Sequence, residues 1–175
     1  ALSFLFCQQG ELARGMVLAN DAAPIFQHSG NNIRLANVLN SKGLIYKDMG
    51  NYRMALETLF TSDSLYIVEG TDDFRLASLN NIGVVYFYQA DYVRAIEYFT
   101  KTEKYFKPDE VTETYVLNRG NIAESYYYQK KFRDAEKILL EVYPKAVSHG
   151  FIRLGSRDAI VLGKIYFDQG MMDKA

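Results

Sequence analysis

Side chains able to do covalent or acid–base chemistry are few in this chain and stand apart. The two histidines, His28 and His149, each come just before a glycine, Gly30 and Gly150. A metal site or a general base would need partners at helical spacing, as in HExxH, and neither histidine has them. What their position offers is a cation or donor near the C-terminal end of a helix, which the helix dipole favours. Cys7 is the one cysteine and has no histidine or cysteine beside it in sequence, so it reads as a small half-buried residue and not as a nucleophile. Neither GxxxxGK[ST] nor a strand-linked GxGxxG occurs, so no phosphate-cradling loop is expected. The carboxylates Glu57, Asp63, Glu97 and Glu103 read as solvated charges on the outer faces of helices. No catalytic set, cofactor or metal site is therefore expected, and the chain reads as no enzyme.

Amides are a different matter. Asn40, Asn80, Asn81 and Asn121 recur at intervals of forty or forty-one residues. An amide side chain carries both donors and acceptors, so it can pair with a peptide backbone without selecting its sequence. Tyr88, Tyr127 and Tyr128 would add flat apolar area with a polar tip, a frequent feature of recognition surfaces. One segment holds several of these residues: LNNIGVVYFYQADY, Leu79 to Tyr92, which taken alone resembles a buried strand.

The elements that carry it emerge from a shift of the chain by forty. Gly43, Gly83, Ala123 and Gly163 form a column of small residues, and Tyr46, Tyr86, Tyr126 and Tyr166 a second column. Ala55, Ala95, Ala135 and Ala175 form a third. A break separates the second and third columns at Gly10, Gly50, Ala90, Lys130 and Gly170, followed by Tyr52, Tyr92, Phe132 and Met172. Leu79, Ile82, Gly83 and Tyr86 follow the i, i+3, i+4, i+7 rule of one helix face, as do Tyr92, Ala95, Ile96 and Phe99 in a second helix. Asn51 and Asp91 are suited to cap the second helices, and Gly30, Gly70 and Gly150 to close them, with Glu110 in the remaining row. Pro24 and Pro144 share a column inside the second helix and are expected to kink it or end it early. Small residues let two backbones approach, and stacked pairs bury what a single pair cannot.

The pattern L-x-x-[GA]-x-x-Y, then G-x-[YF]-x-x-A, with Leu59, Phe99 or Leu139 four residues beyond the alanine, resembles the tetratricopeptide repeat. It covers residues 31–70, 71–110 and 111–150, with partial rows at 1–30 and 151–175, and its period is longer than the family's usual 34 residues. Lys42 and Arg119 depart from it, standing where apolar residues are expected. The resemblance implies an all-α fold: a right-handed α-α superhelix, or solenoid, of antiparallel helix pairs whose first helices line a concave groove. On that face it places Asn40, Asn80, Asn81, Val84, Tyr88, Asn121, Glu124, Tyr127, Tyr128 and Lys164, and implies an extended peptide held by the asparagines. The lysine, asparagine and arginine set of the chaperone-tail clamp is not matched, because Asn37, Ala77, Leu117, Ser41 and Asn81 occupy those columns.

Twenty basic and twenty-one acidic residues leave a net charge of −1, unlike a domain that grips nucleic acid, so no nucleic-acid partner is expected. No apolar run approaches the length of a membrane span, so no membrane insertion is expected. A single cysteine fits a reducing, cytoplasmic compartment, with a periplasmic sensor region as the alternative. The expected function is non-catalytic binding of a protein or peptide segment, as the sensory or scaffolding region of a bacterial signalling protein. The alternative is a spacer or self-association platform, joined through Phe4, Phe6 and Met171–Met172, serving a kinase or cyclase outside the chain. Both ends fall inside the pattern, which points to a fragment of a longer protein.

Overall fold

The computed structural model describes residues 2–107 and 110–171, with side chains from residue 10 onward except that of residue 73. Eight α-helices make up the described residues, with one 3-10 turn and no strand. They are α1 (Leu2–His28), α2 (Asn32–Asp48), α3 (Tyr52–Glu69), α4 (Asp72–Tyr88), α5 (Tyr92–Lys101), the 3-10 turn Glu103–Tyr105, α6 (Glu113–Tyr128), α7 (Phe132–Ser148) and α8 (Ile152–Asp168). LNNIGVVYFYQADY is thus the body of α4, its turn and the first residue of α5. The chain divides into two compact units, residues 1–85 and 86–175, so the last turn of α4 belongs to the second.

Local chemistry explains the punctuation. Asn51 accepts from the Met54 amide at 3.3 Å and Asp91 from the Arg94 amide at 3.0 Å, each satisfying a donor that the helix start leaves without an intrahelical partner. Asn31 and Thr112 do the same for α2 and α6. Gly30, Gly70 and Gly150 adopt positive φ after the helices they close. Ala90 and Lys130 take the same left-handed conformation in the turns before α5 and α7, where Gly50 and Gly170 stand in the corresponding turns.

In the first unit α2 packs between α1 and α3. A Cβ on Gly43 would come within 2.6 Å of Leu59 Cγ and 3.3 Å of the Ala55 carbonyl oxygen. Ala55 and Leu59 are fully buried, so the glycine permits this close approach. Ser62 donates to the Ala36 carbonyl at 2.8 Å and Tyr66 to Asn37 Oδ1 at 2.7 Å, tying α3 to α2. In the second unit α6, α7 and α8 bury Val116, Ile122, Leu139, Val142, Leu154 and Ile165. Gly155 of α8 meets Val147, Ala146 and Tyr143 of α7.

Gly163 shares its sequence column with Gly43, yet among the described residues nothing lies within 4 Å of the Cβ it lacks. Gly163→Ala is therefore expected to stabilise the chain by about 0.5–1 kcal/mol through restored helix propensity. Gly43→Ala, which overpacks Leu59, is expected to cost about 1–3 kcal/mol. Thermal denaturation of the two variants checks this, and shifts of the same sign in both would contradict it.

Four expectations need correction. α1 runs unbroken through Gly10, so that column marks no turn there. Pro24 and Pro144 do not end their helices, which continue for four more residues, to His28 and Ser148. α5 stops at Lys101, well short of Glu110. Asp63 is no solvated charge: its side chain is 14% exposed and binds Arg75 Nε at 3.2 Å, joining α3 to α4. The side chains of Phe4, Phe6 and Cys7 and the residues Met172 and Ala175 lie outside what is described, whereas Met171 is exposed.

Candidate interaction surface

Helical geometry sets α4's amides at the border of its buried face. Leu79 and Ile82 point into the core, Asn80 follows Leu79 with only 9% exposure, and Asn81 is half-buried. Val84 is half-buried as well, while Val85, absent from the expected core stripe, is fully buried. Asn81 Nδ2 donates to Asn40 Oδ1 at 3.1 Å, bridging α4 to α2 within the first unit. That bond leaves the Asn40 amide nitrogen and the Asn81 carbonyl oxygen uncommitted by it. Two of the expected amides are thus brought together as one polar step between neighbouring first helices.

The second unit carries Tyr88, Asn121, Glu124, Tyr127, Tyr128 and Lys164. Tyr88 is 58% and Tyr128 43% exposed. Tyr128 stacks on Tyr92 at 5.3 Å between ring centres, and Phe87 presents edges to Tyr88, Tyr92 and Tyr128. Tyr127 packs edge-on against Tyr128 and donates to Asp168 Oδ2 at 3.0 Å. Burial first, then that bond to the carboxylate, pushes its phenol above the usual range. Lys130 sits over the Tyr127 and Phe132 rings and 4.0 Å from Asp168. The result is a contiguous aromatic surface, apolar in its rings and polar at its hydroxyls. Lys164 is exposed and Glu124 half-exposed.

Asn121 is held by a residue that its column alone does not single out. Arg157 of α8 donates from Nη1 to Asn121 Oδ1 at 2.9 Å and from Nη2 to the Leu117 carbonyl at 3.4 Å and Asp158 Oδ1 at 3.3 Å. Gly120 makes room for the guanidinium: a Cβ there would lie 1.8 Å from Arg157 Nη2. Asp158 is fully buried, and burial raises its carboxyl above the usual range against the opposing pull of Arg157, with Glu124 adding repulsion. An arginine and an aspartate in sequence on a helix mark no such site by themselves. The signal that finds this one is the glycine directly before a ladder asparagine, at Gly120, where α4 has Asn80.

The other candidates have structural employment. Glu57 pairs with Arg53 and Glu97 with Lys101. Arg119 spans Glu103 and Glu141 at 2.9 and 3.2 Å, and Lys42 lies over the Tyr46 ring, which accounts for charges in apolar columns. Glu141 is held below its ordinary range, chiefly by the hydrogen bond from Lys145. His28 ends α1, and His149 follows α7 with Nδ1 2.9 Å from the Lys145 carbonyl. Among the described residues no cluster of metal-ligating side chains occurs, and no helix is long and apolar enough to cross a membrane.

Comparison with known proteins agrees with this architecture. Tetratricopeptide repeat models match residues 36–59 and 75–102. No curated protein matches the chain by sequence. Among solved structures it is similar to nearly identical TPR-like repeats from Podosopora anserina, assigned to a kinesin light chain, at 14% identity and a TM-score of 0.75. That match covers 98% of this chain and 85% of the other. BtubC from P. vanneervenii is similar at 15% identity and a TM-score of 0.72, with 85% and 62% covered. A signal transduction ATPase with numerous domains and a tetratricopeptide repeat sensor, from Pyrococcus horikoshii, is similar at 22% identity and a TM-score of 0.74. That match covers 89% of this chain but 24% of the larger protein. Residues 36–59 and 75–102 are therefore tetratricopeptide repeats, set in an all-α chain that has the solenoid fold class of tetratricopeptide-like repeat proteins.

Proposed function

We propose that this chain is an interaction module that binds an extended peptide or protein segment along the faces of its first helices. Tetratricopeptide repeats generally mediate protein–protein interaction or scaffolding, and such repeats are typically non-catalytic. The observation that carries the finer reading is the Asn81–Asn40 amide pair, half-exposed and with hydrogen-bonding capacity left over. The exposed rings of Tyr88 and Tyr128 in the second unit support it. The likeness to a repeat sensor within a multidomain signalling ATPase favours a sensory or scaffolding role in a signalling protein, which we place in bacteria and in the cytoplasm.

A display library of random extended peptides tests this. The wild-type chain is expected to enrich a peptide set whose binding Asn81→Ala and Tyr88→Ala each weaken by about ten-fold or more, as truncation of contact residues does. Tyr88→Ala should leave the melting temperature nearly unchanged, because the ring is exposed. No enrichment, or enrichment indifferent to both substitutions, refutes groove binding.

A second reading, a spacer or self-association platform, is favoured by exposed apolar side chains on the first and last described helices in sequence: Val17, Leu18 and Ile25 of α1, and Ile160 and Phe167 of α8. Light scattering separates the two, since a platform gains mass with concentration and a monomeric peptide binder does not.

A further inference from the structure

We propose that Arg157 and Asp158 form a proton-operated latch in the second unit, closed over the Asn121 amide while Asp158 is ionised and released when Asp158 is protonated. The closed state is what the structure shows. Arg157 bridges α8 to α6 through Asn121 Oδ1 and the Leu117 carbonyl, and its charged hydrogen-bond partner is Asp158 at 3.3 Å. The Arg157 side chain is 28% exposed and the Asp158 side chain 1%, so the cation has a way to water and the carboxylate has none.

The closed latch is incompletely satisfied. Arg157 Nε and Asp158 Oδ2 are buried without a hydrogen-bond partner, and a half-satisfied buried network is a shallow minimum. Protonating Asp158 removes the counter-charge of a cation held against two neutral oxygens. An uncompensated, partly buried cation is costly, and here it can leave. Its departure ends the bond that Arg157 donates to Asn121 Oδ1.

The groups that govern the proton are few. Burial is the largest influence and raises the carboxyl; from α8, Arg157 opposes it; from α6, Glu124 adds to it by disfavouring the carboxylate. α7, the other helix against α8, meets it around Gly155 with Ala146, Val147 and the Tyr143 ring. A carboxyl raised in the folded state binds its proton before the unfolded chain does as pH falls, so this group adds stability on the acid side and loses it as pH rises through the folded value.

The latch goes beyond groove binding and is tested without a ligand. Carbon-detected NMR of the whole chain would follow the Asp158 carboxyl, the Asn121 side-chain amide and the Arg157 Nε–H across pH. Asp158 is expected to titrate above the ordinary aspartate range, with the Asn121 signals moving at the same midpoint. On the acid side, exchange of the Arg157 Nε–H with water should quicken relative to the base-catalysed rate of a free arginine at the same pH. Glu124→Gln should lower both midpoints together. Asp158→Asn should hold Asn121 at its acid position at every pH. An Asn121 signal that ignores the Asp158 midpoint, or midpoints unmoved in Glu124→Gln, overturns the proposal; the wild-type and Glu124→Gln titrations decide it even if Asp158→Asn fails to fold. Peptide binding plays no part in these readouts, so failure of the groove reading and failure of the latch are told apart.

Discussion

Gly120→Ala is expected to destabilise the second unit by about 3 kcal/mol, although alanine is the better helix former. A methyl group at this position would lie 1.8 Å from Arg157 Nη2 and 2.6 Å from Asp158 Oδ1. The end of a flexible arginine can move; the carboxylate of a fully buried aspartate on a packed helix cannot. Arg157 is therefore driven off, and Asp158 stays buried without its cation. Breaking a buried pair costs about 3–5 kcal/mol, and the partial exposure of Arg157 places this case at the low end. Higher helix propensity returns about 1 kcal/mol at most. Urea denaturation of Gly120→Ala, Arg157→Ala and the double variant isolates the cause. With Arg157 already removed, alanine at 120 has no cation to displace and keeps only the 2.6 Å approach to Asp158 Oδ1, so the second substitution should cost less than the first. A neutral Gly120→Ala, or equal costs in both backgrounds, would disprove this account.

Gly120 also shows where sequence reading reaches and where it stops. Periodicity assigns each residue to a helix and a face, because one helix period converts sequence spacing into direction. Hence Leu79, Ile82 and Tyr86 fall in the core as expected, Asn51 and Asp91 cap their helices, and Gly30, Gly70 and Gly150 close theirs. Columns do not say which neighbour a side chain reaches. Arg157 and Leu117 share a column, yet the arginine bonds back to the carbonyl of that same leucine and to Asn121 four residues on. Asn80 and Asn81 look equivalent in sequence, but a helix turns by about 100° per residue, which leaves Asn80 nearly buried beside Leu79. Turn conformation is hidden too: Ala90 and Lys130 take a left-handed backbone that their residue types do not announce. Asp63 failed as a solvated charge because its partner, Arg75, lies on another helix twelve residues away.

Phe99→Ala is expected to cost about 3–5 kcal/mol, as large-to-small aromatic substitutions in cores do, and to loosen α5 before any other helix of the second unit. α5 has ten residues and buries two of them, Ala95 and Phe99. α7 spreads its burial over five, Ala135, Ile138, Leu139, Val142 and Ala146. Truncating Phe99, 1% exposed, thus removes most of what anchors α5, whereas Leu139→Ala leaves four buried neighbours to hold its helix. The backbone bonds at this position survive the change, since Asn118 Nδ2 and Thr102 Oγ1 donate to the Phe99 carbonyl at 3.1 and 2.7 Å, and any residue supplies a carbonyl. The loss measured is therefore packing. Phe99→Leu, which keeps much of the volume, should cost under about 1.5 kcal/mol. Hydrogen exchange on the alanine variant should show residues 92–101 losing protection while α7 keeps it. An alanine variant within about 1 kcal/mol of wild type, far below the usual range for such a truncation, would show that α5 is held by something other than this ring. Protection lost equally across α5 and α7 would show instead that the second unit opens as one body, with no weak helix within it.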